Sequence, residues 1–380
     1  MSDKDQLDEI ASLHSLDQLR KAIDQVDCKI QGLLNHRARL AERVAEVKLA
    51  ELMAETGEAD LSKVMFYRPE REAQVLQKVM DRNEGPLPDK TVAHLFREIM
   101  SACLALEKPM EVAYLGPEGT FTQAAAMKHF GHGVIAVSQP EIANVFAQVE
   151  SGQCNYGVVP VENSTEGMVN HTLDNFIDSP LKICGEVALR IQLHLLVNES
   201  ANAKTVKTIC AHRQALAQCR QWLDNNWPGI ERLPVSSNAV AARMAKDDPT
   251  IAAVAGDIAA EKYGLMKLAS SIEDLANNTT RFLIIGREDV PAGGNDKTSL
   301  IISAHNKPGA LLHLLTPFEE AGISLTRIDT RPSRTQNWAY LFFVEFEGHQ
   351  QDPKVKAVLD NLIEQSVMLK VLGSYPAAVL

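Results

Sequence analysis

The sequence has no G-x-G-x-x-G turn, no C-x-x-C pair, and neither an H-x-x-x-H nor an H-E-x-x-H spacing. The first absence excludes the usual dinucleotide cradle, the second a redox dithiol or zinc knuckle, and the third a helix-borne metal pair. No cofactor and no metal are therefore expected. His129 and His132 are the nearest approach to a ligand pair, and they read as helix-end residues. No apolar run reaches the roughly 18 residues that span a bilayer, and Met1 to His14 is polar and acidic rather than a secretory signal. A net charge of −11 argues against a nucleic-acid surface, although local basic clusters can still hold small anions. Six scattered cysteines (Cys28, Cys103, Cys154, Cys184, Cys210, Cys219) fit reduced, mostly buried thiols. The expectation is a cytoplasmic protein without membrane or nucleic-acid partners.

What is present starts at Asn155 to Val169. The β-branched run before Pro160 reads as a buried strand that Pro160 ends, and it empties into Glu162, Asn163, Ser164, Thr165, Glu166 and Gly167. Donors and acceptors beyond the carboxyl end of a strand lie where open α/β sheets bind ligands. Composition alone leaves that stretch open to being an ordinary polar loop, but two others resemble it in kind. Gly116-Pro117-Glu118-Gly119-Thr120-Phe121-Thr122 joins a strand-like segment to a helix-like one, where glycines allow close approach and helix amides favour an anion. Asn277-Asn278-Thr279-Thr280-Arg281-Phe282 sets two hydroxyls and a guanidinium before the apolar Leu283 to Ile285.

In order and within one span, these three stretches resemble the signatures of the prephenate dehydratase family, which eliminates water and carbon dioxide from prephenate to give phenylpyruvate. The resemblance implies that Thr280 carries the hydroxyl that assists the departing hydroxide, with Thr279 beside it leaving the assignment open. It implies that Asn163 and Gln218 are ligand-facing amides, and that Glu162, Ser164, Thr120 and Phe121 shape the pocket. Arg281 either binds a substrate carboxylate or braces the loop. Ala211 stands in a segment where relatives carry a serine, and His212 reads as a loop histidine. The alternation of strand-like and helix-like segments over 110–290 argues an α/β fold with mainly parallel sheet, and Leu181 to Val197 reads as a crossover between two lobes. The family implies a two-lobed α/β fold like that of periplasmic binding proteins, with the active site in the cleft.

Ahead of it, Leu16, Leu19, Ile23, Val26, Ile30, Leu33, Leu40, Val44 and Val47 form a heptad seam that runs to about Glu55 and wants partner helices along its length. Ser15 with Gln18 reads as a capping box, Pro69 as a first helical position and Asp89 as a cap. Arg37 occupies a seam position where an aliphatic belongs, which is costly unless an anion meets it. Arg37 and Lys48 lie about 16 Å apart along the axis, close enough to grip one small dianion, whereas Arg20 is about 25 Å from Arg37. If all three serve one site, Arg20 comes from an antiparallel copy, and the domain is an intertwined dimer. Residues 1–109 resemble the all-helical chorismate mutase domain often fused ahead of the dehydratase. That resemblance implies that Arg20, Arg37 and Lys48 clamp chorismate, that Arg71 and Glu72 match an R-E pair, and that Lys48 and Glu107 stabilise the charge growing on the ether oxygen. Arg68, Cys103 and Glu107 replace the more usual Asp, Ser and Gln. A dimerisation module without mutase activity therefore remains an alternative.

Gly293 to Asp296 reads as a linker. Beyond it, Ser299–Ser303, Leu311–Ala321, Leu325–Arg331, Ala339–Phe346, Val355–Gln365 and Leu369–Leu372 give βαββαβ, the ferredoxin-like pattern. Pro308 to Leu312 and Asp329 to Pro332 resemble the paired phenylalanine-binding motifs of the ACT regulatory domain. L-phenylalanine as effector, held by Gly309, Ala310, Leu311, Arg331 and Pro332 at a dimer interface, is what that resemblance implies. The domains expected are 1–109, 110–290 and 296–380, in a homodimer or larger assembly. The implied enzyme converts chorismate to prephenate and prephenate to phenylpyruvate under phenylalanine feedback. A dehydrogenase reading would need the missing dinucleotide turn. A two-lobed sensor without catalysis is the reading from another class.

Overall fold

The computed structural model describes residues 10–57, 66–303, 308–332 and 340–379. Part of the N-terminal segment expected to be polar (residues 1–9) and Ala339 of the expected strand Ala339–Phe346 lie outside them. The chain divides into two compact units, one of residues 1–67 and 98–109, the other of 68–97 and 110–380.

The first unit is built on helix α1 (Leu16–Thr56), 41 residues long, opened by the Ser15–Gln18 capping box and closed by Gly57 in the left-handed conformation at φ 74°. Ser15 Oγ accepts the Gln18 amide while Gln18 Oε1 accepts the Ser15 amide, so two orphan donors of the first turn are satisfied. No residue of α1 is buried. Its apolar seam is in place but uncovered, with Leu16 71% and Leu33 69% exposed. Two further helices follow, α2 (Pro69–Asp81) with its proline in the first turn and α3 (Asp89–Glu107). Asp89 is the first helical residue rather than a cap; its carboxylate accepts the Asn83 side-chain amide at 2.7 Å. The first unit includes α3 only from Glu98 onward.

The second unit holds two α/β lobes and a C-terminal domain. Strands β1 (Glu111–Leu115), β2 (Ile135–Gln139), β3 (Tyr156–Asn163), β5 (Lys182–Arg190) and β11 (Thr279–Gly286) form the first sheet in the order β2-β1-β3-β11-β5, with the short β4 (Gly167–Met168) on β3. The second sheet orders β10 (Met266–Ala269), β6 (His194–Val197), β9 (Ile251–Ala255), β7 (Thr208–His212) and β8 (Glu231–Val235). The chain crosses between sheets after β5 and returns at β11, so the expected crossover segment does contain the change of lobe. Mainly parallel sheets are not observed. β11 is antiparallel to both β3 and β5, and β6 is antiparallel to both β9 and β10, because each lobe takes in a strand on a return path. Pro160 does not end β3: the strand runs on to Asn163, and the register against β11 shifts between Arg281 and Phe282, opposite Glu162 and Pro160. Such a bulge accommodates a residue that has no amide hydrogen for the ladder.

Helices α4 (Phe121–Phe130), α5 (Ile142–Glu150), α6 (Asn170–Asp178), α7 (Arg213–Gln218), α8 (Arg220–Asn226), α9 (Asn238–Asp247) and α10 (Asp257–Tyr263) cover the sheets. α6 and α10, nine and seven residues long, are not among the helices the sequence reading picks out. His129 lies in the last turn of α4, where burial takes its imidazole down to about 3. The C-terminal domain follows the expected order: β12 (Asp296–Ser303), α11 (Ala310–Glu320), β13 (Leu325–Pro332), β14 (Tyr340–Glu347), α12 (Pro353–Gln365) and β15 (Met368–Pro376), with sheet order β13-β14-β12-β15. One apolar core joins this sheet to the first lobe, with Ile301, Phe343, Leu372 and Tyr375 against Val159, Val161, Leu173 and Phe176. Among the described residues, no helix is long and apolar enough to cross a membrane.

Candidate active sites

Antiparallel pairing of β3 and β11 sets the end of one strand beside the start of the other, so Asn163 and Thr280 stand directly opposite in register. Asn163 Nδ2 donates to Thr280 Oγ1 at 2.8 Å and to Asn278 Oδ1 at 3.0 Å. Its Oδ1 accepts the Thr165 amide at 3.0 Å. From the second lobe, Gln218 at the end of α7 donates from Nε2 to Thr165 Oγ1 at 3.1 Å and accepts Asn278 Nδ2 at 3.0 Å. Both ends of both amides are used, so each side chain is oriented by the others rather than by a single contact. Because Thr280 Oγ1 accepts from Asn163, its own hydroxyl proton is left for donation elsewhere. A donor held in that way, with no rearrangement needed when charge develops, suits a departing hydroxide.

Ser164 serves the loop. Its hydroxyl accepts the Thr279 amide at 3.0 Å and lies 3.4 Å from the Asn277 carbonyl, while the Ser164 amide donates to the Thr279 carbonyl at 2.9 Å. Thr279 Oγ1 is itself 3.4 Å from the Asn277 carbonyl, so of the two threonines it is Thr280 that meets Asn163. Thr120 Oγ1 donates to the Leu115 carbonyl at 3.1 Å, and Phe121 packs on Gly256 of the second lobe, where an added Cβ would sit 2.6 Å from the ring. Gly119, at φ +88°, allows the turn between them. Tyr263 Oη donates to the Glu118 carbonyl at 3.1 Å, so this loop also bridges the lobes. His212 caps α7, with Nδ1 3.4 Å from the Gln214 amide, and Ala211 is fully buried in the second-lobe core.

Two of the expected pocket residues turn away from this cluster. Glu162 pairs with Arg327 of β13, and Arg281 pairs with Glu186 of β5 and Glu345 of β14. For Arg281, the bracing alternative is the one this geometry fits. Thr165 and Asn278 complete the cluster and were not singled out from sequence, although both lie inside the stretches that drew attention.

In the first unit, Arg37 and Lys48 of α1 act electrostatically on Glu107 of α3. Burial pushes the Glu107 carboxyl above its ordinary value, against the lowering pull of Lys48 and Arg37. Lys48 Nζ lies 3.4 Å from the Phe66 carbonyl and 5.2 Å from the centre of its ring. Arg20 is exposed on the same helix. Arg71 and Glu72 fall in the second unit, where Glu72 pairs with Arg97 at 3.1 Å and Arg71 is exposed.

In the C-terminal domain, Gly309 caps α11 at φ 78°, followed by Ala310 and the part-exposed Leu311. Arg331 and Pro332 end β13, and the Arg331 guanidinium lies on Asp174 of α6 at 2.6 Å. The two groups of expected effector residues thus sit on separate elements, and their one charged member, Arg331, is engaged with the first lobe.

Family models match along the chain in three blocks: chorismate mutase type II over residues 19–108, prephenate dehydratase over 112–290, and the ACT domain over 298–364. The chain is 55% identical over 371 residues to the bifunctional chorismate mutase/prephenate dehydratase of Pseudomonas aeruginosa, covering 98% of this chain and 100% of that one. Among solved structures, it resembles the prephenate dehydratase of Arthrobacter aurescens in complex with L-Phe, with TM-score 0.65, 32% identity, and 70% and 90% of the two chains covered. A structure described as a novel type of quorum quenching acylase aligns with TM-score 0.66 and 29% identity, over 71% of this chain and 98% of that one.

Proposed function

From its membership of the bifunctional chorismate mutase/prephenate dehydratase family, to which this chain belongs, we propose how its own residues carry two successive reactions under feedback by L-phenylalanine. The helical unit rearranges chorismate to prephenate, and the two-lobed domain converts prephenate to phenylpyruvate with loss of water and carbon dioxide. The observation that carries the second assignment is the Asn163–Thr280 hydrogen bond inside an amide cluster shared by both lobes.

Aromatisation of the ring drives the elimination. The protein's tasks are to hold the two carboxylates and to donate a hydrogen bond to the leaving hydroxide. Thr280 is the donor, Asn163 and Gln218 face the substrate, and the Thr120–Phe121 loop of the first lobe closes the cleft against Gly256 of the second. Acyl transfer of the kind named for the acylase relative is not favoured: Thr280 Oγ1 meets an amide, not a general base, among the described residues.

The rearrangement needs no nucleophile. Arg37 and Lys48 bind the dicarboxylate, and Lys48 with protonated Glu107 donates to the ether oxygen as negative charge grows there. A seam with Leu16 and Leu33 about two-thirds exposed or more supports a second copy along α1, which would bring its own Arg20 to this site. We therefore read the enzyme as a homodimer or larger, with domains 1–109, 110–290 and 296–380. Six free cysteines, five of them buried, fit the reducing cytoplasm. L-phenylalanine binds around Gly309–Leu311 and Arg331–Pro332 of the regulatory domain.

The test is conversion of chorismate and, separately, of prephenate by the purified chain, with and without phenylalanine. Turnover of both, with prephenate conversion suppressed by phenylalanine, is expected. Turnover of prephenate alone would reduce the helical unit to a dimerisation module.

A further inference from the structure

The C-terminal domain grips the first lobe one residue away from the dehydratase cluster. Register sets Asn163 opposite Thr280 and, in the next pair, Glu162 opposite Arg281. The first pair contacts Asn278 and Thr165, and through them Gln218 of the second lobe; the side chains of the second pair hydrogen-bond partners away from the cleft. Glu162 is held by Arg327 of β13, whose Nη1 also reaches Met168 Sδ at 3.0 Å. Arg281 donates from Nε to Glu186 at 2.6 Å and from Nη2 to Glu345 of β14, with Tyr375 Oη 3.4 Å away. Tyr375 Oη in turn donates to Glu345 at 3.1 Å, and Lys297 of β12 lies 2.8 Å from Glu186 and 3.4 Å from Glu345. The Arg281, Glu186 and Glu345 side chains are 14%, 5% and 8% exposed, so this network is largely shut off from water.

We infer that Glu162 and Arg281 are positioning residues through which the regulatory domain sets the geometry of Asn163 and Thr280. The inference rests on the dehydratase and feedback assignments above and adds the route between them. The Arg281–Glu345 pair cannot part without stranding a buried charge, so β11 follows β14 when that strand moves, while the Glu162–Arg327 pair, 30% and 23% exposed, ties β3 to β13 less tightly. The register shift between Arg281 and Phe282 gives the β3–β11 pair a point of adjustment beside the site, where a small displacement alters the Asn163–Thr280 contact without breaking the ladder. An effector on the regulatory domain can then suppress the elimination without entering the cleft. Among the described residues neither Arg327 nor Glu345 hydrogen-bonds a member of the amide cluster, so they reach it through intervening residues, Glu162 and Met168 for Arg327 and Arg281 for Glu345.

The test uses the full-length chain carrying Arg327→Met, with Arg327→Lys as the conservative partner. Four quantities are read: chorismate turnover, prephenate kcat and KM, residual prephenate turnover at saturating phenylalanine, and phenylalanine binding by titration calorimetry. For Arg327→Met, prephenate kcat falls at least fivefold with KM within twofold. Phenylalanine still binds within threefold of the parent but suppresses less than half of the remaining activity, and chorismate turnover is unchanged. Arg327→Lys, which keeps a charge on Glu162, returns kcat and inhibition toward the parent. Unchanged kcat and unchanged inhibition in Arg327→Met would overturn the inference, as would a rise in KM alone, which marks a substrate-binding role. If Arg327→Met no longer binds phenylalanine, Glu345→Gln replaces it; this variant keeps the shape and one acceptor for Arg281 and is judged on the same split. A parent chain that fails to convert prephenate, or is not inhibited, refutes the underlying functional reading instead.

Discussion

The two candidate active sites are held in opposite ways. In the cleft, Asn163, Thr165, Gln218, Asn278 and Thr280 orient one another through hydrogen bonds of 2.8–3.1 Å, and every polar end of the amides is used inside one chain. In the helical unit, Arg37 and Lys48 stand on a helix with no buried residue, and the Glu107 carboxyl, raised by burial, feels their lowering pull. A site assembled where a strand end meets a strand start is complete when the lobes fold. A site on a long single helix is completed by whatever covers that helix. The first therefore depends on folding, the second on concentration as well.

The largest expected effect tests the self-contained site. Thr280→Val keeps the side chain's shape, removes the hydroxyl and leaves an Asn163 donor unpaired. Prephenate kcat should fall by about 10²–10³, as for loss of one preorganised donor, while chorismate turnover is untouched. Thr279→Val should change prephenate kcat less than tenfold; if the two exchange ranks, the assignment of the donor is wrong.

Next comes the helical site. Arg37→Ala should lower chorismate turnover by about 10², because the site covered by the second copy loses a cation that meets the substrate's carboxylates. Leu33→Glu, on the uncovered seam, should do the same by a different route. It should give a smaller species in sedimentation and make turnover strongly dependent on protein concentration, with prephenate conversion retained. A Leu33→Glu chain that keeps its assembly size would break the comparison between the two sites.

A smaller and more diagnostic effect concerns Glu107. Its donating form is the protonated one, which dominates below a folded-state value that burial raises above 4.5. Chorismate turnover should fall as pH rises through that raised value, and Glu107→Gln should flatten the profile, since an amide donates at any pH. A profile left unaltered by the substitution would remove Glu107 from the reaction.

The smallest effect is at the domain contact. Burial alone would raise the Glu345 carboxyl, but Arg281, Lys297 and the Thr326 hydroxyl outweigh it and bring it down to about 2 from 4.5. A depressed carboxyl stabilises the folded state above its unfolded value and loses that contribution as pH falls through the folded one. Stability should therefore decline between about 4.5 and 2 on this account. Glu345→Gln should shallow the acid limb of a thermal-denaturation series in that window.

The chain itself announced its elements where one physical signal dominated. The Ser15–Gln18 capping box, the Pro69 start, the heptad seam and the βαββαβ order are local patterns of side-chain type and spacing, and they need no distant residue to be read. The three polar stretches were legible for the same reason, since dense donors at strand ends serve no packing purpose. Antiparallel placement of β11, the bulge opposite Pro160 and the division of Glu162 and Arg281 from their neighbours Asn163 and Thr280 were not, because each depends on strands far apart in sequence. Sequence places Asn163 and Thr280 117 residues apart; only the pairing of β3 with β11 decides that one amide holds the other's hydroxyl. Charges buried in apolar strands, such as Glu345 between Val344 and Phe346, were the available hint of a domain contact. Their partners are set by tertiary packing alone, because a buried charge is tolerated only where another element brings it a counter-charge.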